Sequence, residues 1–157
     1  MSVAFWVLAV TVVANGLIAG ASFDVATVKL PTRRRIGSVA YANFARGNDL
    51  GNGLIVYPAA GILTALLVFG ATITTCLANQ SATVMVPLLL ACVGTVAHSA
   101  CTAKAAPIML SLRRDPDDEA VLTAKLDRFA FWHACRAVLQ FATFTFLLWA
   151  LVEFNRH

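Results

Sequence analysis

The sequence predicts an all-α fold: an integral membrane four-helix bundle with both termini on the non-cytoplasmic side. Three observations carry this prediction. The chain is 59% hydrophobic and 13% charged, with a mean hydropathy of +0.76, whereas a soluble domain is nearer half apolar and a quarter charged. Four apolar segments, at about 3–28, 51–78, 84–110 and 129–153, each supply the length a spanning helix needs. The basic residues gather on one side of those segments. The absence of strict alternation excludes a transmembrane barrel. Apolar character all round the segments excludes a soluble bundle, whose helices keep a polar face.

The 157 residues suit one domain spanning 1–157. Helix 1 is expected to stay attached, although "AGA" at 19–21 fits a small-residue cleavage pattern. No positive region precedes Val3, and the positive charge follows the segment in "KLPTRRR", the reverse of a secretory signal.

Eleven of the twelve basic residues sort to one side: Lys29, Arg33, Arg34, Arg35 and Arg46 between helices 1 and 2, and Lys104, Arg113, Arg114, Lys125, Arg128 and Arg136 between helices 3 and 4. The other side has an uncharged N-terminus, the uncharged turn "CLANQSA", and Arg156 beside Glu153. The positive-inside rule makes the basic side cytoplasmic, and a multi-pass protein of a bacterial inner (plasma) membrane is expected. The net charge of +4 is therefore a topology signal. No basic stretch interleaved with aromatics points to nucleic acid.

Within helix 1, Gly16 and Gly20 form a G-x-x-x-G spacing that permits close helix approach and homo-oligomers, and Asn15 is a polar residue deep in the span. Residues 29–50 form a cytoplasmic connection in which 36–46 mixes apolar and polar residues, as a short interfacial helix would. "GNDLGNG" at 47–53 reads as a loop or a frayed helix start. Pro58 lies inside helix 2 and leaves a carbonyl unpaired near Leu54. Asp115–Pro116 reads as an N-cap followed by proline, with Asp118 and Glu119 suiting the helix dipole, so helix 4 is expected over about 116–153 and enters the membrane near 129. Cys76, Cys92, Cys101 and Cys135 form no C-x-x-C pair or zinc spacing and read as small buried hydrophobes.

Because the helices alternate in direction, the end of helix 1, the start of 2, the end of 3 and the start of 4 share the cytoplasmic side. Polar residues converge there: Asp24; Asn48, Asp49, Asn52 and Tyr57; Thr95, His98 and Thr102; His133, Arg136, Gln140 and Thr143. The last four span an arc of roughly 80° at helical spacing, a stripe narrow enough to face the bundle interior. Arg136 needs a counter-ion, for which Asp24 and Asp49 are the candidates. The histidines admit three readings: neutral interior side chains with no chemistry, acid–base or substrate-orienting groups, or haem or metal ligands, for which His98 and His133 are the pair.

The glycine-containing first helix, "LP" leading into a short helix ending in "NF", the "DPDD" insertion and the opening W-H-x-x-R of the last helix together resemble the anthrone oxygenase-like family of small four-helix membrane proteins, much of which is a domain of unknown function. The resemblance runs over roughly 10–152, and its most specific element is Trp132-His133-x-x-Arg136, with Asn43 in support. A departure lies after helix 3, where many members carry an asparagine-rich stretch and this chain has "TAKAAP".

The resemblance implies an oxygenase acting on a small aromatic or quinone-type lipophilic molecule. His133, Arg136 and His98 would then be catalytic. Asn43, Asp49, Asn52, Tyr57, Thr102, Trp132 and Gln140 would line the substrate, with its flat body against Phe44, Phe131 and Trp132. No motif requires a particular cofactor. The alternatives are a haem- or metal-binding redox or accessory subunit, and a non-enzymatic lipid- or quinone-binding or assembly module.

Overall fold

The computed structural model describes residues 2–156. Helix α1 (Val3–Asp24) starts at Ser2, whose hydroxyl accepts the Phe5 N–H at 3.3 Å. Its C-terminal end passes without a break through a π-helical segment (Val25–Lys29), where the Leu30 N–H reaches back to the Val25 carbonyl, into α2 (Leu30–Ile36). Gly37 ends the run with φ of +87° and ψ of 156°, a conformation open almost only to glycine. Helix α3 (Ser38–Gly47) continues through a second π-helical segment (Asn48–Asn52), kinked at Gly51, into α4 (Gly53–Leu77).

Helix α4 closes in a Schellman motif. Asn79 turns left-handed at φ 50°, its N–H bonds the Cys76 carbonyl, and the Gln80 N–H bonds the Thr75 carbonyl. Helix α5 (Ala82–Ser111) carries Pro87 and Pro107 inside it, and α6 (Glu119–Phe154) follows a short polar loop.

Four helical runs are long and apolar enough to cross a membrane, with 34, 40, 30 and 36 residues. Each exceeds the roughly 20 residues that hydrocarbon requires. The expected all-α bundle is present, while the connection expected at 29–50 is helical almost throughout. "GNDLGNG" forms the kinked π segment rather than a loop. Most of the stretch expected at 36–46 to form a short helix lies in α3.

Helix α6 begins at 119, not 116. Asp118 is its N-cap, accepting the Val121 N–H at 2.9 Å. Asp115, expected as the cap, instead holds Lys125 with both oxygens at 2.6 Å and accepts the Ser111 hydroxyl at 3.2 Å. Glu119 does more than suit its own helix dipole. Its two oxygens accept the Ser38 and Val39 N–H groups at 2.6 and 3.1 Å, capping α3 from across the bundle.

In the bundle α1 packs on α4 and α6, and α5 on α6 and α4, with the most extensive seam between α5 and α6. Gly16 seats the Phe144 ring, which a methyl group would meet at 3.0 Å, while nothing lies within 4 Å of a methyl at Gly20. The G-x-x-x-G pair therefore does not act as a unit within the chain.

The buried apolar residues form two separate clusters. One, at the basic end, includes Leu30, Tyr41, Leu50, Met109, Leu122, Leu126 and Phe129. The other, at the far end, includes Leu8, Val12, Val68, Val84, Leu88 and Leu147. Asn15, Ser22, Thr95, His98, His133, Gln140 and Thr143 are also buried, and they form a polar layer between the two clusters.

Arg46 locks the basic end together. Its guanidinium donates to the Leu112 and Asp115 carbonyls at 2.8 and 2.9 Å, to Asn43 Oδ1 at 2.7 Å and to Asp117 at 2.6 Å. Arg113 adds a bond to the Leu50 carbonyl, and Arg33 pairs with Asp127 at 2.6 Å.

Gly37→Ala should cost about 1–3 kcal/mol, read as a lower thermal midpoint in detergent. A second prediction concerns acid. Hydrogen bonds from Lys125 hold the Asp115 carboxyl below its usual range, and the Ser38 and Val39 amides do the same for Glu119. A depressed native pKa stabilises above the unfolded value, about 4 for these groups. That stability is lost as the pH falls from about 4 through the lower native values. Unfolding scans at descending pH should show the loss, and Asp115→Asn should shrink it.

Candidate functional site

The polar layer is built on the π segment that follows α1. Where helical pairing changes from i+4 to i+5, carbonyls are left with spare capacity. The Ser22 carbonyl receives the Val25 N–H and lies 3.2 Å from His133 Nε2. A carbonyl can only accept, so Nε2 carries the hydrogen, and in a neutral ring Nδ1 would hold the lone pair.

The Ser22 hydroxyl accepts Arg136 Nη2 at 3.2 Å and donates to Gln140 Oε1 at 2.7 Å. One serine on α1 thus gathers three residues of α6 spaced at i, i+3 and i+7. His133 also stacks obliquely on Phe129, with ring centroids 5.5 Å apart.

Arg136 is the focus of the layer. Tyr57 of α4 and His98 and Cys101 of α5 lie within electrostatic reach of its guanidinium. Among the described residues no carboxylate pairs with it, and its Nε is buried without a hydrogen-bond partner.

The expected counter-ions lie elsewhere. Asp24 is paired with Lys29 at 3.4 Å and half exposed. Helical phase explains this: Asp24 lies about 200° round the helix from Ser22. Asp49 accepts Asn48 Nδ2 at 2.9 Å and the Tyr57 hydroxyl at 3.4 Å.

The remaining expected residues divide. Gln140, His98 and the half-buried Thr102 belong to the layer, Thr102 donating to the His98 carbonyl at 3.0 Å. Asn43 does not; it is exposed and tied to Arg46. Asn52 and Tyr57 are exposed. Trp132 packs on the edge of the basic-end core and meets Phe131 edge-on at 5.3 Å. Phe44 and Phe131 face outward, 50% and 61% exposed, so the three aromatics expected to sandwich a substrate do not enclose one.

Ser22 was absent from the expectations, yet a signal existed. Thr11, Asn15 and Ser22 fall within about 40° of one another on a helical wheel, the same kind of stripe that marks α6. Thr11 uses it to bond the Leu67 carbonyl of α4 at 3.2 Å. Of the cysteines only Cys101 is buried, and Cys76 is exposed.

Among the described residues, no three of His, Cys, Asp and Glu gather into a metal-binding group. As an axial ligand His133 would have only Nδ1 to offer, since Nε2 is engaged by Ser22. Two shallow hollows stand out on the surface, one over Phe131, Cys135 and Val138 and one over Ala82, Val86 and Trp149, and neither is lined by residues of the layer.

The layer does have one thinly covered side. In α4, Thr64, Val68, Ala71 and Thr75 are buried, but nothing between Leu54 and Leu63 is. The half of α4 that faces the level of Arg136 therefore carries no buried side chain.

Comparison of the chain with protein families, with characterised proteins and with solved structures finds no match.

Ser22→Ala should destabilise the bundle by about 1 kcal/mol, because it strips the guanidinium of its hydroxyl acceptor. The cost should fall when Arg136 is already leucine, as a double-mutant cycle of thermal midpoints in detergent would show.

Proposed function

We propose that the chain is a membrane-embedded oxygenase-like protein. It would act on a small hydroxyaromatic or quinone-type molecule, held with its acidic oxygen against Arg136. The carrying observation is the Arg136 guanidinium, which lies in a buried polar layer without a carboxylate and with Nε unpartnered. A cation in that position favours a ligand bearing negative charge or acquiring it. The thinly covered half of α4 gives a lipophilic molecule a route from the bilayer.

His133 Nδ1 is the proton acceptor in this reading. Removing a proton from an activated C–H or O–H of the substrate leaves an enolate or phenolate whose oxygen rests on the guanidinium. Such an electron-rich anion reacts with dioxygen. For an activated methylene, one oxygen atom becomes the new carbonyl and the other leaves as water with the two hydrogens of the methylene. Ser22 and Gln140 act indirectly, holding Arg136 and His133 in register. By the charge asymmetry, the site lies toward the cytoplasmic leaflet.

A second reading, binding of a quinone or lipid without chemistry, is favoured by the hydrogen bonds the layer's side chains already make to one another.

Oxygen consumption by purified protein supplied with an anthrone separates the two readings. Turnover should require His133 and Arg136. His133→Ala and Arg136→Ala should each lower it about a hundredfold or more while the protein still inserts and elutes as the wild type does. Tight binding of the anthrone with no oxygen uptake would leave the binding reading. Full turnover in both variants would remove the site altogether.

A further inference from the structure

The charges at the basic end leave a surplus that the protein does not neutralise. The chain has eight acidic side chains, and each is committed internally. Asp24, Asp115, Asp117, Asp127 and Glu153 pair with Lys29, Lys125, Arg46, Arg33 and Arg156. Glu119 caps α3, Asp118 caps α6, and Asp49 accepts from Asn48 and Tyr57. Arg34, Arg35, Lys104, Arg114 and Arg128 are exposed and have neither a carboxylate nor a hydrogen-bond partner among the described residues. All five sit at the basic end.

Their neighbours are apolar. Arg34 and Arg35 precede Ile36, which is 49% exposed, and Arg128 lies one turn from Phe131, 61% exposed. Lys104 lies seven residues inside the end of α5, about 10 Å along the axis. Its own helix exposes Ala100 and Ala103 nearby and Val96 at 61%. An ammonium at that depth on a lipid-facing surface must reach up along its stem to an anion at the membrane boundary.

We propose that these five cations form a docking collar for acidic phospholipids, whose phosphates supply the missing counter-charges while their acyl chains cover the adjoining apolar faces. The position of Lys104 favours a lipid over dissolved phosphate, because only a headgroup anchored beside hydrocarbon lies within reach along an apolar helix face. The Phe131–Trp132 pair adds an interfacial aromatic contact beside Arg128.

The test is native mass spectrometry of the full chain released from mixed micelles of phosphatidylglycerol and phosphatidylcholine. The wild type should retain phosphatidylglycerol preferentially. Each neutralised cation should lower that preference roughly fivefold, so R34Q/R35Q/R128Q should all but lose it, and Lys104→Gln alone should weaken it. R34K/R35K/R128K, which keeps the charge, should retain it, and Arg156→Gln at the far end should leave it unchanged. Equal retention of the two lipids by the wild type would overturn the proposal, as would a preference that survives R34Q/R35Q/R128Q. Displacement of the lipid by inorganic phosphate, but not by chloride at equal ionic strength, would also overturn it, because a bare phosphate site would then account for the charges.

Discussion

Desolvation of one guanidinium constrains the rest of this bundle. A charged side chain inside a spanning helix costs about 2.5–3.5 kcal/mol near mid-membrane on insertion scales, and the cost is met by polar neighbours. Here those neighbours come from several chain segments: Ser22 directly, Gln140 and His133 through Ser22, and Tyr57, His98 and Cys101 by proximity. The two apolar clusters can close above and below only because the polar groups between them are matched to one another. The π segment begins just after Ser22, whose carbonyl accepts from the His133 ring and whose hydroxyl accepts from Arg136.

The irregular backbone follows the same logic. Both π-helical segments lie at the basic end, one after α1 and one before α4. Non-standard pairing frees or redirects carbonyls, and in a membrane this is tolerated only where other groups take up the slack. His133 takes the Ser22 carbonyl, and Arg113 takes the Leu50 carbonyl. The polar loop 112–118 then works as a lid on the basic-end core, fastened by Arg46 to α3 and by Lys125 to α6. The side-chain cross-links between segments thus gather at the end where the backbone is least regular.

How much of this was legible in the sequence depended on range. The four long helices are legible because each is a local property of composition, although the first two continuous runs extend through the connection that the sequence assigns to 29–50. The α6 stripe is legible because helical spacing alone defines it, and His133, Gln140 and Thr143 are buried along it. Asp24 does not meet Arg136 because its helical phase turns it away from Ser22 and toward Lys29. Asn43 belongs to the Arg46 network because Asp117 comes back over α3, a tertiary fact. Glu119 capping α3 across eighty positions of chain, and the two π segments, depend on how helices meet and leave no local trace.

The packing of α4 is uneven along its length. Thr64, Val68, Ala71 and Thr75 recur at spacings of three and four and fasten the far half of the helix to its neighbours. No such recurrence exists from Leu54 to Leu63, and Pro58 and the kink at Gly51 both weaken the backbone there. The half from Leu54 to Leu63 thus contributes little buried area, Leu54 alone packing against the basic-end core. That half borders the one cation in the layer that has no carboxylate. A protein meant only to seal its interior would gain by covering Arg136 on this side or by pairing it with Asp24. The chain does neither: Asp24 faces Lys29, and the covering side chains stop at Thr64. The arrangement therefore keeps a buried guanidinium, without a carboxylate among the described residues, at the level of the half of α4 that contributes no buried side chain.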